Sequence, residues 1–235
     1  MILAIDCGNT RLKWGVHDGG LWRVIGSVPV ANIARLGAAW KKMAAPEKIV
    51  VSNVAGDVAR RRLDGILARW PVAPIRVKPR RRQCGVTNNY REPARLGADR
   101  WAALIGARAL VRGPCLVVTA GTATTADILK RDGTFSGGVI IPGLELMKMS
   151  LARNTARLPL AQGHFAAAPR STADAIETGC LLAQAGAVER VFATLKSGAV
   201  CVLSGGAAAR LATHLRIPVR LVDNLVLEGL IRIAG

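Results

Sequence analysis

One local pattern, a short apolar strand that ends in a turn of small polar residues, occurs twice in this chain. It occupies residues 2–10 and recurs at 115–125, and the central glycines of the two turns, Gly8 and Gly121, are 113 residues apart. In both places two further apolar segments follow, joined by a glycine-containing turn, as in consecutive antiparallel strands. A repeat at this distance indicates an internal duplication. The sequence therefore predicts two similar α/β domains with a cleft between them.

The rest of the chain alternates between strand and helix patterns. The segment 112–114, which contains Gly113 and Pro114, divides the repeats, so we predict domains at 1–112 and 113–235. Predicted strands cover 2–5, 12–16, 21–30, 48–52, 71–77, 115–118, 126–129, 134–141, 199–203 and 219–222. Predicted helices cover 31–44, 56–70, 96–111, 144–155, 172–195, 207–215 and 224–233.

Composition restricts the class of protein. With 235 residues, of which 51% are hydrophobic, the chain is able to bury packed cores and is not disordered as a whole. Its apolar runs are too short for a membrane-spanning helix. The first residues lack an export signal, and the five cysteines are scattered without a CxxC pair, so we expect a cytoplasmic protein with reduced thiols. The three histidines form no metal-binding pattern.

The net charge of +18 is extreme and unevenly distributed. The first 110 residues carry 20 of the 33 basic residues, with clusters at 60–62 and 76–82. Such clusters fit three interpretations: a nucleic-acid surface, attraction of a polyanion such as ATP, or a solvated face. With 4% aromatic residues there is no platform for stacking bases, so we expect no nucleic-acid partner.

The two turns have the residue types of a phosphate site. Backbone N–H groups in glycine-rich turns bind anions without a charged side chain, and a third such turn follows at 204–206. Asp6, at the end of the first strand, is suited to a hydrated Mg²⁺. Taken singly, each glycine could instead serve only a left-handed backbone position, and Asp6 only a turn.

Motifs along the whole chain resemble those of one family. The matching segments are, in chain order, 6–10 with Lys13, 85–88 with Tyr90, 96–100, 121–125 with Asp127, 137–138 with 141–143, 156–159, 171–172 with 175–176 and Gly179, and 204–206. They resemble the type III pantothenate kinases, also described as Bvg accessory factors, in the superfamily of acetate and sugar kinases, heat-shock chaperone ATPases and actin. The resemblance implies two duplicated ribonuclease H-like domains, the actin-like ATPase fold, with an interdomain cleft.

The same resemblance implies an activity and its residues. The reaction would be ATP-dependent phosphorylation of pantothenate to 4′-phosphopantothenate, the first step of coenzyme A synthesis. Asp99 would be the base that takes the proton of the primary hydroxyl. The ATP site would comprise Asp6, Cys7, Gly8, Asn9, Thr10, Arg11, Leu12, Lys13, Gly121, Thr122, Gly205 and Gly206. The pantothenate site would comprise Tyr90, Gly97, Ala98, Asp99, Arg100 and Thr172.

One position departs from the family pattern. The family commonly has an aspartate before the second Gly-Thr turn, associated with a monovalent cation, and this chain has Thr119 there. The resemblance implies Mg²⁺ near Asp6 through water, K⁺ or NH₄⁺ near Thr119, and a homodimer. The alternative is a catalytically weak protein of kinase fold with a regulatory or nucleic-acid-binding role, which draws on Thr119 and the positive charge.

Overall fold

The computed structural model describes residues 1–160 and 162–235. The strands are β1 Ile2–Cys7, β2 Arg11–Asp18, β3 Leu21–Pro29, β4 Lys48–Asn53, β5 Ile75–Arg76, β6 Arg82–Gln83, β7 Val86–Asn88, β8 Cys115–Ala120, β9 Ala123–Leu129, β10 Thr134–Pro142, β11 Val200–Ser204 and β12 Val219–Leu221. The helices are α1 Arg35–Ala39, α2 Gly56–Leu67, α3 Ala98–Leu110, α4 Leu144–Asn154, α5 Thr172–Phe192, α6 Ala208–Ala212 and α7 Leu225–Ala234, with 3₁₀ turns at Val30–Asn32 and Pro93–Arg95.

The chain forms two compact units. The first comprises Met1–Leu110, Gly133–Phe135 and Asn224–Gly235, and the second comprises Val111–Asp132 and Ser136–Asp223. The predicted halves, 1–112 and 113–235, differ from these units mainly at the C-terminus. Helix α7 belongs to the first unit because it packs against α3: a Cβ at Gly229 would lie 1.8 Å from the Ala102 carbonyl oxygen.

The first unit is built on a five-stranded sheet in the order β3-β2-β1-β4-β5. Strand β1 is antiparallel to β2 and parallel to β4, and its residues Leu3, Ala4, Ile5 and Cys7 are completely buried. One face of the sheet packs on α1 and α2 through a core that includes Ile33, Leu36 and Trp40. The sheet therefore holds the end of β1 in a fixed place.

The second unit contains strands in the order β12-β11-β8-β9-β10. Its central strand β8 is antiparallel to β9 and parallel to β11, as β1 is to β2 and β4. Leu116 and Val118 of β8 pack on α5 and α6 in the core of this unit. The predicted repeat is thus present in the strand directions as well as in the sequence.

Several predicted elements are shorter than expected. The helix predicted over 31–44 is a 3₁₀ turn followed by the five-residue α1, since no side chain caps its start and Gly37 lies within it. The strand predicted over 71–77 pairs only at Ile75–Arg76, because Pro71 and Pro74 lack a backbone donor. None of the described helices combines the length and apolarity needed to cross a membrane.

Candidate active site

The first turn begins at the carboxyl end of β1, where Asp6 has one register partner on each side. Lys13 of β2 and Ser52 of β4 are the residues opposite it. Side chains at neighbouring register positions of a sheet lie close together. A carboxyl group, an ammonium group and a hydroxyl therefore meet at the end of this strand.

The surroundings of Asp6 disfavour its charge. Burial, and after it the negative charge of Asp99, raise the pKa of the Asp6 carboxyl to about 7, whereas Lys13 and Ser52 act to lower it. One carboxyl oxygen, Oδ1, is buried and has no hydrogen-bond partner among the described residues. A buried carboxyl oxygen without a donor fits a divalent cation or its bound water, since such cations prefer oxygen ligands.

The turn after β1 is held by its own backbone. The N–H of Gly8 donates to the carbonyl oxygen of Arg11 at 3.1 Å, and the guanidinium of Arg11 donates to Oγ of Ser27 at 2.6 Å. Asn9 and Thr10, at the tip, are exposed. The turn therefore presents polar groups at its surface while both of its ends are fixed.

Two residues of the predicted ATP site have their side chains in the core. Cys7 and Leu12 are completely buried, and they are register partners on β1 and β2. Burial, with a smaller effect of the Asp6 charge, raises the pKa of the Cys7 thiol to about 11, so this thiol is unreactive. Any contact of these two residues with a nucleotide would have to come from the backbone.

Asp99 lies in the first turn of α3, where the positive end of the helix dipole favours a carboxylate. Its Oδ1 accepts a hydrogen bond from the backbone N–H of Arg100 at 2.8 Å. Gly97, two residues earlier, leaves room for this group: a Cβ there would lie 2.5 Å from Asp99 Oδ1. Any larger residue at 97 would displace the carboxylate.

Arg100 is a buried cation that faces an aromatic pair. Only 6% of the residue is exposed, and its Nη1 donates to the Tyr90 hydroxyl at 2.9 Å. Its guanidinium carbon is 5.6 Å and 5.9 Å from the ring centroids of Tyr90 and Phe135, which are 5.2 Å from each other. Contacts of this kind between a guanidinium and aromatic faces are stabilising. The first unit contains Asp6, Asp99, Arg100 and Tyr90.

The turn after β8 is in close contact with a neighbouring segment, the start of α4. The N–H of Gly121 donates to the carbonyl oxygen of Ala123 at 3.0 Å, and that of Gly143 to the carbonyl oxygen of Thr122 at 2.9 Å. A Cβ at Gly143 would lie 2.0 Å from the Gly121 carbonyl oxygen. The start of α4 is therefore in direct backbone contact with this turn.

The third predicted turn contacts the same strand end. Gly205 has φ +107°, and a Cβ there would lie 2.3 Å from the carbonyl oxygen of Ala120, which also accepts the N–H of Ala207 at 3.1 Å. At Gly206 a Cβ would meet nothing within 4 Å. The turns at 121–122 and 205–206 are therefore adjacent in the second unit.

Thr119 occupies the position on β8 that Asp6 occupies on β1, the fifth residue of the strand. Its register partners are Thr125 on β9 and Ser204 on β11. Three hydroxyl groups therefore stand where the first unit has a carboxyl, an ammonium and a hydroxyl. Among the described residues no cluster of three histidine, cysteine or acidic side chains has the arrangement of a metal site.

Thr172 is the first residue of α5 and is exposed. Ser171 caps the helix by accepting the N–H of Asp174 at 3.1 Å. Thr172 lines a cavity of about 380 Å³ whose other walls are largely apolar and include Met147 and Leu158. It belongs to the second unit, whereas the other predicted pantothenate residues belong to the first.

Solved structures share this architecture. A Campylobacter jejuni protein assigned to the Baf family of transcriptional activators has a TM-score of 0.66 at 22% identity, with 98% of this chain and 96% of that chain covered. A Sinorhizobium meliloti protein assigned as a 2-dehydro-3-deoxygalactonokinase has a TM-score of 0.63 at 18% identity, with 100% and 98% covered. The two units, each with a turn at the end of its central strand, therefore define an α/β protein of the actin-like ATPase fold, which includes sugar kinases.

Sequence comparison narrows this class to one family. The sequence model of type III pantothenate kinase matches residues 2–194. A type III pantothenate kinase of Dechloromonas aromatica is 52% identical over 235 residues, with 100% of this chain and 99% of the relative covered. The chain belongs to the type III pantothenate kinase family. It is a kinase that uses ATP and a divalent metal to phosphorylate pantothenate, the first step of coenzyme A biosynthesis.

The sequence interpretation missed the residues that support Tyr90. Asn88 is completely buried, and its side chain is hydrogen-bonded to the N–H of Tyr90 and to the carbonyl oxygen of Pro93. Arg81 donates to two carbonyl oxygens of the same loop. Phe135 stacks on Tyr90 from β10. The available signal was the motif 85–88 with Tyr90, which does not by itself separate a buried Asn88 from an exposed loop residue.

Proposed function

We propose that Asp99 is the general base of this kinase and that Asp6 is the residue that holds its metal. Two carboxyl groups from different elements, the end of β1 and the start of α3, are close enough for the charge of one to raise the pKa of the other. The proposal is carried by the geometry of the two groups: the Arg100 N–H holds the Asp99 carboxylate at the start of α3, and Asp6 Oδ1 is buried without a donor among the described residues. Two acids in one site with different surroundings are suited to different tasks.

The base has a defined task. An alcohol is a poor nucleophile until a positioned carboxylate accepts its proton during attack on the γ-phosphorus of ATP. The oxygen–phosphorus bond to pantothenate forms as the bond to ADP breaks, and the hydroxyl proton passes to Asp99. Gly97 supports this role because it gives the carboxylate space at the start of α3.

Asp6 would hold Mg²⁺, in part through water. Its partnerless buried oxygen supports this assignment, and Lys13 opposite it would add positive charge beside the phosphates. When bound, Mg²⁺ neutralises charge on the β- and γ-phosphates. In the first unit the exposed turn 8–11 would bind phosphate oxygens of ATP. In the second unit the backbone of Gly121, Thr122, Gly205 and Gly206 is suited to the same task.

Arg100 would bind the carboxylate of pantothenate. A guanidinium pairs with a carboxylate through two parallel hydrogen bonds, and a largely buried one does so with little competition from water. Tyr90, Gly97 and Ala98 would complete this part of the pocket in the first unit. Thr172, in the second unit, is proposed as a substrate residue from the family resemblance, and it lines a cavity of that unit. The contact of Arg100 with Tyr90 supports a shared role.

The remaining features are proposals of smaller scope. We place a monovalent cation, K⁺ or NH₄⁺, near Thr119, with weaker binding than an aspartate would give. We also propose a cytoplasmic homodimer. The regulatory alternative draws on the net positive charge, but Arg76 of the second basic cluster pairs with Asp64 and Arg81 binds loop carbonyls, so part of that charge has an intramolecular role.

A coupled assay tests the central assignment. Asp99→Asn should reduce pantothenate-dependent ADP release by roughly 100-fold or more, the scale of general base catalysis, while pantothenate still binds in calorimetry. Asp57→Asn is the matched control, since Asp57 is also an acid in the first turn of a helix. Full activity in Asp99→Asn would exclude it as the base.

A further inference from the structure

Tyr90 follows the three-residue strand β7, in a segment with little regular structure to fix it. The side chain of Asn88 compensates for this. Its Oδ1 accepts the backbone N–H of Tyr90 at 3.1 Å, and its Nδ2 donates to the carbonyl oxygen of Pro93 at 3.1 Å. The oxygen and the nitrogen of this completely buried side-chain amide therefore hold the loop at Tyr90 and at Pro93.

Arg81 holds the same loop from outside. Its Nη1 donates to the carbonyl oxygens of Asn88 at 3.1 Å and Tyr90 at 3.5 Å, and its own carbonyl oxygen accepts the N–H of Asn88 at 2.9 Å. The residue belongs to the basic cluster 76–82 that the sequence motifs leave unexplained. Hydrogen bonds from a charged donor are stronger than those between neutral groups.

The Tyr90 ring is also held in its orientation. Phe135 packs on it, and its hydroxyl accepts from Arg100, as described above. A movement of the Tyr90 backbone would therefore shift both the ring and the guanidinium that contacts it. This connects the loop hydrogen bonds to the chemistry of the pocket.

We infer that Arg81 and Asn88 are positioning residues that hold Tyr90 in the orientation in which it binds pantothenate. This inference rests on the proposed substrate role of Tyr90. Each of the two acts on substrate affinity through Tyr90 and not by touching the substrate.

The chain has one tyrosine, which provides a direct test of position. Protein labelled with 3-fluorotyrosine should give a single ¹⁹F NMR signal. Arg81→Met should shift or broaden that signal, whereas Arg80→Met, the same change at the neighbouring exposed arginine, should leave it as in the wild type. An unchanged signal in Arg81→Met overturns the inference and leaves the proposed function untouched.

Kinetics test the consequence for the substrate. Arg81→Met should raise the KM for pantothenate roughly three- to ten-fold, the scale of one lost hydrogen bond, with kcat and the KM for ATP changed less than about two-fold. Asn88→Asp should act in the same direction, since a carboxylate cannot donate to the Pro93 carbonyl oxygen. Thermal melting should confirm that both variants are folded.

A double-mutant cycle separates positioning from general destabilisation. In a Tyr90→Ala background, Arg81→Met should have no further effect on the KM for pantothenate. An equal effect in both backgrounds overturns the inference. If the ¹⁹F signal moves but Tyr90→Ala leaves that KM unchanged, the substrate role of Tyr90 fails, and the positioning role fails with it.

Discussion

The ends of β1 and β8 occupy equivalent places in the two units, yet they carry different chemistry. Each strand has an antiparallel neighbour on one side and a parallel neighbour on the other, and in both units the parallel neighbour supplies a serine, Ser52 or Ser204. Asp6 and Thr119 stand at the matching centre. Both units therefore have the same strand arrangement, but only the first has an ionisable side chain at the matching position.

The backbone around the two turns also differs. At the two equivalent glycines, Gly8 and Gly121, a Cβ would lie 3.2 Å and 3.6 Å from the nearest atom, but neighbouring segments approach the end of β8 more closely. Cβ atoms at Gly143 and Gly205 would lie 2.0 Å from the Gly121 carbonyl oxygen and 2.3 Å from the Ala120 carbonyl oxygen. The end of β1 therefore carries the ionisable groups, whereas the end of β8 is surrounded by close backbone contacts from neighbouring segments. Four experiments probe this difference.

The largest effect should come from Asp6. We expect Asp6→Asn to lower turnover by roughly 100-fold or more, because the neutral amide cannot balance the charge of the metal at the phosphates. The coupled ADP assay measures this. Asp18→Asn, an exposed acid at the end of β2, serves as the control, and comparable activity in the two variants would contradict the role of Asp6.

The end of β8 should be sensitive to the size of the residue that contacts it from the turn 204–206. Gly205→Ala should destabilise the protein by about 2 kcal/mol or more, because alanine disfavours φ +107° and its Cβ would clash with Ala120. Gly206→Ala, which meets no neighbour, should change stability little. Urea unfolding compares the two, and similar midpoints would show that the close contact is unimportant.

The charge of Asp6 should make stability depend on pH. Its pKa is raised from 3.8 to about 7, so the folded protein holds this proton more tightly than the unfolded chain. The resulting stabilisation is fully present below about pH 4 and is lost as pH rises through 7, by roughly 1 kcal/mol per pH unit. Without metal or ATP, the difference in unfolding free energy between wild type and Asp6→Asn should follow this course. Parallel pH profiles would refute it.

The smallest effect should come from restoring the acid at the second turn. Thr119→Asp should make turnover a few-fold more responsive to K⁺ over Na⁺, since a carboxylate is a better ligand for a hard cation than a hydroxyl group. Thr119→Asn, a neutral side chain of similar size, controls for shape. The same response to K⁺ in all three proteins would argue against a cation at this position.

The strands and the helices next to the turns were predictable because their signals are local. The apolar runs of β1 and β8, the glycines after them and the apolar face of α3 are visible in the sequence. The hairpin of β6 and β7 was not predicted. Its strands are two and three residues long, too short to show an alternating pattern, and only the Cys84–Gly85 turn, with φ of +48° and +75°, marks it.

The sequence by itself determined the repeat, the family and the residue types at the two strand ends, because each is encoded within a few neighbouring positions. Only the tertiary structure decided which of these residues meet. Contacts between separate elements bring Asp99 close to Asp6 and pack α7 with the first unit. They also let Arg81 and Asn88 hold the Tyr90 loop. Such contacts leave no periodic pattern along the chain, since they are fixed by packing and burial rather than by local backbone preference.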